Sequence, residues 1–120
     1  MKIVYIAGPY SATTSAGITR NIDAARAAAR EVARAGAVPL CPHTNSAGME
    51  DIRDAQWWYD ATLDLLAVCD GMVLLPGWQD SRGCVRELAY AEAAGISVVA
   101  RGLTDGALLT VVEEWLRCVS

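Results

Sequence analysis

Glu87 is where chemistry could begin. It stands in "PGWQDSRGCVRELAYAEAAG", residues 76–95, six positions after Ser81 and four after Gly83, where an apolar run gives way to a polar turn and then to a helical pattern. With Asp80 or Ser81 as the helix cap, about 100° of rotation per residue aligns Cys84, Leu88, Ala91 and Gly95 on one buried stripe and sets Glu87 about 60° from its centre. Helical side chains lean toward the N-terminus of their helix, so this carboxylate is aimed back at the turn. A carboxylate so held can act as a nucleophile or stabilise a developing cation. Gly83 costs about 1 kcal/mol of helix propensity against alanine, which the close approach of a ligand would offset. Tight helix-to-strand packing explains Gly83 as well, and a half-exposed surface acid explains Glu87. Ser81 fits a plain N-cap, and the unpaired N–H groups at such a helix start also favour an anion such as phosphate.

The elements that must position these residues alternate along the chain. "KIVYIA", residues 2–7, reads as a buried strand closed by Gly8-Pro9. An alanine-rich helix follows from about Asn21, a plausible cap, to Ala35, with Gly36 as its stop. "AVPLC", "GMVLLP" and "ISVVA" read as three further strands, a helix spans about Ala55 to Val68, and Thr104 can cap a last helix to about Cys118. Between Pro42 and Asp54 lies a long polar connection suited to a lid or substrate loop. The pattern predicts one α/β domain: a three-layer α/β/α sandwich around a parallel, flavodoxin-like sheet of four to five strands. Ligands of such sheets sit beyond the carboxyl ends of the strands, where strand order reverses. Those ends carry "AGPYS", "CPHTN" and "PGWQDSRG". Tyr10, Asn45, Trp78 and Gln79 there offer aromatic faces and amides to a flat base. Gly8, Pro9 and His43 share the same crevice. Trp57, Trp58 and Trp115 read as packing or subunit-interface residues.

Composition narrows the function classes. The 120 residues carry a net charge of −4, with Arg20, Arg26, Arg30 and Arg34 interleaved with Asp23 and Glu31. That is a solvated helix face and gives no reason to approach a DNA or RNA duplex. Cys41, Cys69, Cys84 and Cys118 form no C-x-x-C pair, and three of them lie in apolar segments, as expected of a reduced, cytoplasmic chain. "MKIVYIAGPY" is too short an apolar run for a signal sequence or a membrane span. His43 is the sole histidine, which argues against a zinc site.

The segments "IVYIAGP", "CDGMVLLPGW" and "SRGCVRELAYAEAAGISVV" resemble the nucleoside 2-deoxyribosyltransferase-like superfamily, and most closely a small bacterial and phage branch related to 2′-deoxynucleoside 5′-phosphate N-hydrolases. The resemblance implies a single domain of that kind over residues 1–120. It also implies cleavage of an N-glycosidic bond, by hydrolysis or base transfer, in a 2′-deoxynucleoside or its 5′-monophosphate. Glu87 matches the family nucleophile and Tyr5 the tyrosine that orients it. Ser81 matches the phosphate-contacting serine of the nucleotide hydrolases. No metal or other cofactor is implied, and a homodimer or larger assembly is. Many members carry an aspartate where this chain has Thr62, so the proton donor to the leaving base must be sought elsewhere; Asp80, Asp64 and His43 are the candidates. The alternative is a nucleotide sensor or regulatory module that uses the same crevice without catalysis. A cytokinin-activating, lysine-decarboxylase-like hydrolase fits "PGWQDSRGCVRE" poorly.

Overall fold

Four parallel strands in the order β2-β1-β3-β4 organise the chain, in the computed structural model that describes residues 1–119. The strands are β1 (Ile3–Ala7), β2 (Val38–Leu40), β3 (Gly71–Leu74) and β4 (Ser97–Arg101). The helices are α1 (Ser15–Ala35), α2 (Pro42–Asn45), α3 (Ala55–Leu66), α4 (Arg82–Ala94) and α5 (Asp105–Val119), with a single 3-10 turn at Trp78–Asp80 before α4. This is the flavodoxin-like order expected from the alternating pattern; no fifth strand occurs among the described residues. Strand order reverses between β1 and β3, which places the crevice there.

The period of two along β1 divides the core. Val4 and Ile6 face one side, with Val73, and pack against Ala25, Ala28 and Val32 of α1 and Leu108 and Val112 of α5. Tyr5 and Ala7 face the other, with Met72 and Leu74, against Leu66 of α3 and Cys84, Leu88 and Ala91 of α4. Because β1 is buried on both faces, its residues are apolar without alternation, as a central parallel strand requires. Tyr5 is thereby directed into the layer that carries α4. Gly71 permits α5 to close over the start of β3: a Cβ there would lie 2.8 Å from the Trp115 ring.

The sheet margins are short or irregular. β2 has three residues, with Pro39 opposite Val4, and the β3–β4 pairing shifts register between Met72 and Val73 so that Val99 of β4 is passed over.

Three sequence expectations are corrected. Helix α1 begins at Ser15, with Thr14 Oγ1 accepting from Gly17 N at 3.0 Å, while Asn21 lies inside the helix and donates to the Tyr10 carbonyl at 3.0 Å. The cap therefore stands before the alanine-rich segment. Gly95 leaves the buried stripe of α4, because it adopts φ 74° as the helix terminator and is exposed. The connection after β2 condenses in part into α2. Cys41, Cys69 and Cys84 are buried free thiols and Cys118 is an exposed one. No described helix is long and apolar enough to cross a membrane.

Candidate active site

The carboxyl end of β1 and the loop after it, the turn after β3, the segment Pro42–Glu50 and the N-terminal halves of α3 and α4 enclose a cavity of about 830 Å³. That volume accommodates a nucleoside-sized molecule. Its floor is made by Tyr5 and Glu87. Ser81 caps α4, its Oγ accepting from Cys84 N at 3.3 Å, and the cap fixes the helical phase that brings Glu87 to the cleft. The Tyr5 hydroxyl donates to Glu87 Oε2. Thr62 of α3 lies within hydrogen-bonding reach of both side chains, and its hydroxyl donates to the Tyr59 carbonyl at 2.8 Å.

Electrostatics follow from this burial. Desolvation pushes the Glu87 carboxyl above its usual range, opposed by the hydrogen bond from Tyr5, the polar Thr62 hydroxyl nearby and the Arg86 charge. Tyr5 is raised, first by burial and then by the adjacent carboxylate, so the phenol keeps its proton and serves as a donor. Cys84, also on the cavity wall, is pushed up to about 11, chiefly by burial, which leaves no thiolate to compete as nucleophile near neutral pH. Glu87 is half-buried and supplies the carboxyl group at the floor of the cavity.

Residues 2–101 match the profile of a family described as a domain of unknown function, DUF7768. The chain belongs to that family. Among solved structures it is similar to a 2-desoxiribosyltransferase from Leishmania mexicana, with 25% sequence identity and a TM-score of 0.58. The match covers 83% of this chain and 63% of that one, so the DUF7768 chain spans less than two thirds of the length of the enzyme it resembles. No curated protein matches its sequence.

The remaining residues singled out in the sequence divide into two groups. Gly8, Pro9, Tyr10, His43, Asp80, Ser81 and Gly83 line the cavity with Tyr5 and Glu87. Asp64, Asn45, Trp78 and Gln79 do not. Asp64 follows Thr62 by two residues, about 200° around α3, and is exposed. Asn45 and Gln79 face solvent, and Trp78 packs partly buried against the α4-side core with the Arg101 guanidinium 5.9 Å from its ring. His43 Nε2 lies 2.9 Å from the Pro9 carbonyl, which can only accept, so that nitrogen carries the proton; burial lowers the imidazole pKa and keeps it neutral. Asp70, before β3, accepts from Ile3 N at 2.8 Å and joins the N-terminal ends of β1 and β3, away from the cavity.

Several cavity residues carried no functional signal in the sequence. Ala55, Trp58 and Tyr59 are among them; with Thr62 they recur at helical spacing along α3 and form one wall. The Trp58 indole N–H is buried without a partner. Glu50 accepts from the Tyr10 hydroxyl at 2.7 Å and from Gly48 N at 3.2 Å, which lowers its pKa and joins the long connection to the loop after β1.

Gly83 answers its own question through space. A Cβ there would meet Tyr59 Cε2 at 3.8 Å and Ser81 Oγ at 3.9 Å, both ordinary contacts. Packing against the sheet therefore does not require glycine. Gly83→Ala is expected to stabilise the free protein by up to about 1 kcal/mol through helix propensity, seen as a small rise in Tm; weaker ligand binding by the same variant would show that the space is the ligand's.

Proposed function

We propose that the protein cleaves the N-glycosidic bond of a 2′-deoxynucleoside or its 5′-monophosphate. The observation that carries this reading is the Glu87 carboxylate, held by the Tyr5 hydroxyl at the floor of a nucleoside-sized cavity. Likeness to a 2-desoxiribosyltransferase supports it. In the first step a Glu87 oxygen forms a bond to the anomeric carbon while the bond to the base nitrogen breaks and its electron pair leaves with the base. Water or a second base then displaces the ester oxygen and restores the carboxylate. Holding the nucleophile against a cationic, oxocarbenium-like state matches the electrostatics of a half-buried carboxylate that accepts the Tyr5 hydroxyl. At the mouth, the Ser81 hydroxyl, the first amides of α4 and the exposed Arg82 favour a 5′-phosphate.

Chromatography of a mixed panel of nucleosides and 5′-monophosphates, with and without added free base, tests the proposal. Release of free base, faster from monophosphates, is the expected result; no release from any member would reject it. Sensing without catalysis is the second reading, favoured by the spent His43 proton and by Thr62, which places no carboxylic acid beside Glu87. A rise in Tm with intact nucleotide and no product after long incubation would establish it.

A further inference from the structure

Arg86 precedes Glu87 in the chain and spans the gap between α4 and α3. Its Nη1 donates to the Tyr59 carbonyl at 3.2 Å, its Nη2 to Asp60 Oδ1 at 3.1 Å, and its guanidinium carbon sits 4.1 Å from the centre of the Tyr59 ring. The Tyr59 carbonyl also accepts from Thr62, so one backbone oxygen gathers the helix that walls the cavity and the arginine beside the proposed nucleophile. The ion pair with Asp60 is partly exposed and by itself worth little. The planar fork and the ring stacking are what fix direction, since only a guanidinium can make both bonds and the stack at once.

From this geometry we infer that Arg86 is a positioning residue for Glu87: its paired bonds and ring stacking lock α3 to α4, so that Tyr59, Thr62 and the guanidinium itself stay in register with the carboxylate. The inference rests on the glycosidic reading of Glu87. Other groups face Glu87 as well. Tyr5 reaches it from β1, with the Cys69 thiol behind, and both the Cys84 thiol and Arg82 share its helix. Asp80 stands at the mouth, while His43 and Glu50 form the far wall. Among these, Arg86 is the charge whose attraction opposes the effect of burial on Glu87.

The test combines carbon-13 NMR titration of the Glu87 carboxyl with pH profiles of base release, in the full-length protein, Arg86→Met, Arg86→Gln and Arg86→Lys. The two neutral variants are expected to titrate Glu87 at higher pH and to lose about 10- to 100-fold in kcat with little change in KM, as loss of alignment costs at a reacting centre. Lysine restores the charge without the fork, so Arg86→Lys is expected to return the titration toward the unmodified protein while kcat stays low. A neutral variant that folds and titrates like the unmodified protein overturns the inference, as does lysine behaving like methionine in the titration. If the unmodified protein releases no base, the proposed function fails, and the titration still decides whether Arg86 sets the ionisation of Glu87.

Discussion

Glu87→Gln is expected to abolish base release, by at least about 10³-fold, while leaving the fold intact. The amide keeps an oxygen to accept the Tyr5 hydroxyl and nearly the same volume, so what disappears is the nucleophile and its charge. The same substitution has a thermodynamic signature that a surface acid would lack. Burial raises the pKa of Glu87 in the folded protein above its unfolded value. The stability tied to its protonated form is thus complete below the ordinary glutamate range and is lost as pH rises through the raised folded value. Glutamine does not titrate. The Tm of Glu87→Gln should therefore exceed that of the unmodified protein at pH 8, with the gap closing toward pH 4. Equal base release by the variant, or a gap of the opposite sign, would remove Glu87 from the chemistry.

The second large effect is expected at Tyr5, which is only 1% exposed and belongs to the core cluster on the α4 side. Tyr5→Phe keeps the ring and its packing but withdraws the donor from Glu87. A hydrogen bond to a charged group contributes about 1.5–3 kcal/mol, so a loss of roughly 10- to 100-fold in kcat/KM is expected. Without that donor the carboxyl holds its proton to higher pH, and the acid limb of the rate profile moves upward. The stability penalty has the same sign logic: it is largest where Glu87 is ionised and shrinks at low pH, where a protonated carboxyl needs the donor less. Thermal melts of the variant at pH 4, 6 and 8 check this, and a pH-independent penalty would reduce Tyr5 to a packing residue.

The sheet, its order and the strand ends that converge on the cavity were legible because β1 and β3 are short, apolar and punctuated by glycine or proline. The phase of α4 was legible too, since Cys84, Leu88 and Ala91 mark its buried side and so fix where Glu87 must lie. The α3 wall was not. Ala55, Trp58, Tyr59 and Thr62 have the spacing of a core stripe, and periodicity cannot tell a face turned to an apolar core from one turned to a cavity. The start of α1 was obscured because Gly17, Ile18 and Thr19 are poor helix formers, and the decisive signal, Thr14 three residues before Gly17, stands outside the alanine-rich segment. Arg86 carried no signal in the sequence. Its importance depends on a carbonyl 27 residues away, a relation that only the packed structure supplies.

Both margins of the sheet resist growth. On one side, three residues that include a proline leave little ladder for an incoming chain; on the other, the irregularity at Val99 breaks the straight run of donors and acceptors that templating needs. Edge-to-edge pairing of two sheets is therefore disfavoured at either margin.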